Sequence, residues 1–284
     1  MTSEEMYGPT NWKSITPEQR KRRRAYYVKR FESLLKPEGF VRKGVYFLRL
    51  RDDYILQTVN LDVDRRVGFC QINADHHLML KGWRDVLYDY PDSPRIYGDI
   101  SWFGALTSLE ELCEYQYPGA QCCGQPVFKI TDDFEEGVEK SCQLLQERGI
   151  PSLNSVRNIE DYVKYENRYS ERYAQKVKGK YPYEVPEIWT WYTPVGALMK
   201  GDKDTALRIF RDHIQYYEKH YNSGYRYAIF LLKLEKLMDA VSRMEANDQK
   251  WMDRLVNDTV DLARKQLNKV CPKVLEAYEA SHSI

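Results

Sequence analysis

Residues 16–44 read "TPEQRKRRRAYYVKRFESLLKPEGFVRKG", and the fold turns on whether this run is a helix with a buried side or a free cationic arm. Seven of the fifteen residues from Thr16 to Arg30 are Lys or Arg, against the single acid Glu18. Thr16-Pro17-Glu18-Gln19 has the form of a helix start. Thr16 is placed to cap, Pro17 occupies the first helical position, where no N–H is needed, and Gln19 completes a capping box. Tyr27, Val28, Phe31, Leu34 and Leu35 then recur at three- and four-residue steps, filling a sector about 120° wide. Pro37 and Gly39 end the run, Gly39 by permitting a left-handed turn. Arg22 and Lys29 fall opposite the apolar sector, Arg23 and Arg30 at its edge, and Arg20 and Arg24 within it one or two turns earlier. The cations thus ring the first turns instead of forming a stripe, which predicts a solvated or internally paired helix end. They also stand at the wrong pole of the helix dipole, which calls for an acid nearby. Arg20, Arg22, Arg23 and Arg24 remain the candidate polyanion-binding set.

Downstream, "VYFLRL" (45–50), "YILQTVNLDV" (54–63) and "VGFCQINA" (67–74) are β-rich runs joined by short polar turns, the pattern of an antiparallel meander. In the middle run Ile55, Val59, Leu61 and Val63 share one face and Thr58, Asn60 and Asp62 the other, which predicts one packed face under the first helix. "PVFKI" (126–130) reads as a further strand. A helix follows from the Asp132 cap, with Phe134, Val138, Cys142 and Leu145 at helical spacing and Gly149 and Pro151 as its stop. From residue 152 onward helical patterns take over, near 158–178, 186–200, 203–221, 224–244 and 248–270. The fourth offers Ala228, Leu231, Leu232, Leu237, Met238 and Val241 as its apolar set. The last offers Met252, Leu255, Thr259, Leu262, Ala263, Leu267 and Val270. The expected fold class is α+β: an N-terminal helix on a small antiparallel sheet, then an all-helical C-terminal half. The expected domains are a tail at 1–15, an α+β domain at 16–151 and a helical region at 152–284 packed on it.

Composition narrows the function classes. Hydrophobic residues are 43% and charged residues 30% of the 284, with a formal net charge of +1. That is a globular balance without the global charge that steers a protein to DNA or anionic lipid. No window approaches the roughly 18 consecutive apolar residues of a membrane span, and "MTSEEMYGPTNWKS" is no secretory leader, so a cytoplasmic chain with reduced thiols is expected. The six cysteines show no zinc-ligand spacing. There is no P-loop, dinucleotide fingerprint, H-E-x-x-H or G-x-S-x-G. Neither a catalytic residue nor a cofactor is expected. The most chemical neighbourhood is Asp62, Asp64, Asp75, His76 and His77. Of these, Asp62, Asp64 and His76 are the candidate metal ligands, set against a plainer reading as turn aspartates and surface histidines.

From Leu34 the chain resembles the domain of unknown function 4304 family. Its members carry a Leu-rich helix end, a "kp-x-GF-x-kkg-x-xF-x-R" stretch and a strand containing Asn. The matching residues are Leu34, Leu35, Pro37, Gly39, Phe40, Lys43, Gly44, Phe47, Arg49 and Asn60. Many members have Gln two residues past that Asn, where this chain has Asp62. The resemblance covers about residues 20–75 and implies the helix-plus-meander arrangement, but no activity and no cofactor.

Tyrosine is abundant, with 23 residues and clusters at 163–192 and 214–227. It lines helix boundaries, builds protein-binding faces and stacks single-stranded bases. The reading that joins these observations is a non-enzymatic accessory module, of an immunity-like kind, whose partner is another protein. Nucleic-acid binding by the basic first helix and a metal-assisted enzyme are the alternatives.

Overall fold

The computed structural model describes residues 16–64, 69–80, 83–88, 107–108, 127–129, 134–165, 194–222 and 228–283. Helix α1 (Pro17–Leu35) begins with the capping box read from the sequence. Gln19 N–H donates to Thr16 Oγ1 at 3.2 Å and Thr16 N–H to Gln19 Oε1 at 3.0 Å. Its inner side buries Tyr27, Val28, Phe31 and Leu35. At its end Gly39 takes φ +82°, and Phe40 N–H returns to Leu35 O at 3.1 Å, turning the chain into the sheet.

The sheet runs β1 (Val41–Lys43), β2 (Tyr46–Leu50), β3 (Ile55–Asp64) and β4 (Phe69–Leu78) in spatial order. Two short strands, β5 (Thr107–Ser108) and β6 (Val127–Lys129), both pair antiparallel with β4. Asp52 Oδ1 accepts from the Tyr54 and Ile55 N–H groups, each at 2.8 Å, an Asx turn that sets the β2–β3 register. After the short α2 (Trp83–Leu87) come α3 (Phe134–Leu144), a π turn (Leu145–Gly149), α4 (Ile150–Ser155) and a helical stretch α5 at 159–165. The remaining helices are α6 (Pro194–Met199), α7 (Lys203–Asn222), α8 (Ala228–Glu245), α9 (Gln249–Val270) and α10 (Pro272–His282). The chain is α+β with a helical C-terminal half. Among the described residues no helix is long and apolar enough to cross a membrane.

Several expectations change. The helix does not stop at Gly149 and Pro151. Ile150 N–H instead reaches back five residues to Leu145 O, and the widened turn admits Pro151, whose missing N–H costs little at the start of α4. Residues Ile55 to Val59 are all buried, so β3 is covered on both faces and not on one. Strand β4 runs four residues further than its apolar run, through His76 and His77. Strand β1 and helix α10 carry no pattern that announces them in the sequence. The tail at 1–15 and most of the 158–193 stretch lie outside the described residues.

The chain resolves into two compact units whose division differs from a cut at 151. One comprises residues 1–77, 106–165 and 273–284, the other 78–105 and 166–272. Residue 151 lies inside the continuous helical run from Phe134 to Ser155, which explains why no boundary falls there. Helix α10 belongs with the sheet, where Tyr278 Oη donates to Asp53 Oδ1 at 3.3 Å. In the helical unit Trp83 meets Phe210 edge-on, with ring centroids 6.0 Å apart.

In the sheet unit, α1 is joined to α3 by a chemically mixed seam. Arg30 grips Glu139 through two bonds of 2.6 and 2.5 Å, and Tyr26 Oη adds a third at 3.2 Å. These groups are nearly half exposed, so the pair contributes roughly 0.5–1 kcal/mol and orients more than it stabilises. The buried rings do most of the holding. Phe31→Ala is expected to destabilise the sheet unit by about 3–5 kcal/mol in urea unfolding, against about 1 kcal/mol for Thr16→Ala.

Candidate functional site

Two adjacent strands, α4 and the helix end after α1 converge on one buried cation. Arg49 of β2 and Gln57 of β3 are register partners, and the Arg49 side chain is only 7% exposed. Its Nε and one Nη donate to Gln57 Oε1 at 2.9 and 2.6 Å. The same Nη donates to Asn154 Oδ1 at 2.8 Å, and the other donates to Glu38 O at 2.6 Å. The centre of the Phe40 ring lies 4.4 Å from the guanidinium carbon. A Cβ on Gly39 would sit 3.6 Å from Arg49 Cδ, in ordinary contact, so Gly39 is required by its φ and not by space. Burial, reinforced by Arg51, pulls the guanidinium pKa down to about 10, while Glu38 raises it. Arg49 therefore stays a cation at neutral pH, with its donors directed to the chain itself.

The network passes from Arg49 through Gln57 to His76. Since Gln57 Oε1 accepts from Arg49, its Nε2 is the donor side. Its two hydrogens are shared among Leu153 O at 2.5 Å, Val156 O at 3.2 Å and His76 Nδ1 at 3.2 Å. His76 is consequently neutral with its proton on Nε2, an atom that is buried without a hydrogen-bond partner among the described residues. Its ring meets Tyr165 at 5.0 Å and Tyr162 at 6.5 Å, both edge-on. His77, the next residue along β4, points to the opposite face and meets Thr58 Oγ1 at 2.8 Å. The expected surface histidines are thus core residues, 0% and 2% exposed. With Nδ1 occupied, His76 has no free lone pair for a metal or for general-base work.

Asp62 and Asp64 lie on β3, but their side chains, like that of Asp75, are outside the described residues. Among the described residues no group of three or more His, Cys, Asp or Glu is close enough to share a metal ion. Arg23, expected at the edge, is 5% exposed, its guanidinium 4.9 Å from the centre of the Phe134 ring. Arg22 approaches Glu18 at 3.7 Å, while Arg20 and Arg24 are exposed. Glu18 is the acid of the first turns, whereas Glu139 meets Arg30 further along the helix. Cys142 and Cys271 are free, buried thiols, and burial pushes Cys142 up to about 12. Cys113, Cys122 and Cys123 are outside the described residues.

The feature that periodicity misassigns lies on α8. Its buried side is Leu234, Leu237, Ala240 and Met244, whereas Leu231, Leu232 and Met238, placed by their spacing in the apolar set, are 44%, 41% and 56% exposed. A signal exists in the sequence: apolar residues run around most of this helix, and a helix apolar all round either is fully buried or meets a second surface. Tyr216 on α7 is likewise 56% exposed, while Tyr162, Tyr165 and Tyr217 are buried. Compared with protein-family models, curated proteins and solved structures, the chain has no match.

Two outcomes test the buried network. Arg49→Lys keeps the charge but loses the fork that serves Gln57 and Asn154 together, and is expected to cost about 2–4 kcal/mol in urea unfolding. The second concerns His76, whose pKa burial lowers from 6.5 to about 3, helped by His77 and Arg49. Below 6.5 the unfolded chain binds a proton that the folded chain refuses. Stability therefore falls as pH drops through that window, by up to about 1.4 kcal/mol per pH unit. Urea midpoints measured from pH 7 to pH 4 should show a shallower slope in His76→Leu than in the parent chain.

Proposed function

We propose that this chain is a non-enzymatic, cytoplasmic protein-binding module that docks another protein on the outer face of α8, an accessory role of the immunity-like, partner-masking kind. The observation that carries the reading is the second apolar face of that helix. Leu231 and Met238 lie two turns apart on one side with Leu232 beside them, while Leu234, Leu237, Ala240 and Met244 already serve the core. Covering three side chains of this size, each about half exposed, would contribute roughly 2–4 kcal/mol to association. Glu235, exposed between Leu231 and Met238, supplies a polar break of the kind found at interface rims.

Polyanion binding through the first helix has less support. Of its four candidate cations, Arg23 is buried against Phe134 and Arg22 approaches Glu18. The metal-assisted alternative loses the imidazole it relied on, since His76 Nδ1 is held by Gln57.

Leu231→Ser/Met238→Ser replaces exposed residues and should leave the helical circular dichroism unchanged. Tagged parent chain is expected to co-purify a stoichiometric protein from native lysate, and the double variant to lose it. Recovery of no such partner, or equal recovery with the variant, overturns the reading. Arg20→Glu/Arg24→Glu is expected to retain the partner in full.

A further inference from the structure

The helical unit holds a cleft of about 360 Å³ between α2, α8 and the first turns of α9. Leu87, Leu255 and the Trp251 indole line its apolar part, and Lys236, Arg254 and Asp258 bring charge to it. From this geometry we propose that the cleft binds a short apolar peptide of dipeptide length by its two charged termini, an inference independent of the α8 docking face.

The argument rests on which charges are already committed. Arg243, at the cleft edge, bonds Asp239 Oδ2 at 2.9 Å and Asp248 Oδ2 at 3.2 Å, so that trio satisfies itself. Asp248 is occupied a second time, its Oδ1 capping α9 through the Trp251 N–H at 3.1 Å. Arg254 and Asp258 differ. They stand one turn apart on the same face of α9, a spacing at which Arg and Asp ordinarily pair. Yet among the described residues the side chain of neither makes an ion pair or hydrogen bond, with the other or elsewhere.

An unspent cation and an unspent anion carried on Cβ atoms about 5–6 Å apart along one helix face complement a ligand that carries both charges a few ångströms apart. A free amino acid holds its ammonium and carboxylate too close together to reach both. A dipeptide, at about 3.5 Å per residue, spans the interval. Its carboxylate meets Arg254 and its ammonium Asp258, while its side chains lie on Trp251 and Leu255. The volume is also of the order that small-ligand sites occupy, and ample for two apolar residues.

Isothermal titration of the full chain at low salt with leucyl-leucine tests this. Saturable binding is expected, weakened at least about tenfold by N-acetylation and by C-terminal amidation, since each leaves one charge of the cleft without its partner. Arg254→Gln should abolish the discrimination against the amide while keeping that against the acetyl form, and Asp258→Asn the reverse. Both positions are exposed, so the fold is not at risk. Free leucine should bind more weakly than the dipeptide. No saturable heat up to about 10 mM, binding indifferent to blocking or to either substitution, or leucine binding as tightly as the dipeptide would each overturn the proposal.

Discussion

A cation taken out of water organises the sheet unit. Moving a guanidinium into the interior costs several kcal/mol unless its donors are met, so wherever Arg49 is buried the surrounding chain is constrained to meet them. Here the donors are met by the carbonyl of Glu38 just beyond α1, by the neighbouring strand through Gln57, and by α4 through Asn154. Three separate segments of the chain are thereby tied to one group of atoms. Gln57 extends the obligation to two backbone carbonyls and an imidazole. Polar networks of this sort are costly when half satisfied and specific when complete. This one is architectural, because its donors face the chain and not an opening.

That centre also gives a physical meaning to the order of residues from Gly39 to Gln57. Gly39 turns the chain at positive φ, Phe40 supplies the ring against the guanidinium, and Arg49 arrives on the strand opposite Gln57. Much of this is legible from residue order: the capping box, the apolar sector of α1, the glycine turn and the meander all follow from local rules. Which polar residues go inside is not. Arg23, Arg49, His76 and His77 have surface chemistry, and their burial depends on partners in distant segments, Phe134, Asn154, Tyr165 and Thr58. Periodicity has no access to such pairings.

The helical unit shows the opposite failure. In α9 the apolar positions and the buried ones nearly coincide, because its other side is plainly charged. In α8 they do not. Apolar residues surround most of the helix, so periodicity selects Leu231, Leu232 and Met238 beside Leu237, and only packing separates the side that the fold uses from the side it leaves outward. A residue's hydrophobicity says that it wants cover, not which molecule provides it.

The π turn from Leu145 to Gly149 has a consequence for length as well as shape. Such a turn is what an α-helix becomes when it absorbs one surplus residue, so α3 and α4 are phased relative to each other by a single amino acid. Wind that surplus into ordinary α turns instead, and everything after it swings about 100° around the helix axis and advances about 1.5 Å. Asn154 and the carbonyl of Leu153 would then face away from the strands, leaving Arg49 without its bond to α4 and Gln57 without its shortest carbonyl contact. The widened turn thus holds in place contacts that substitutions at several positions would each only weaken.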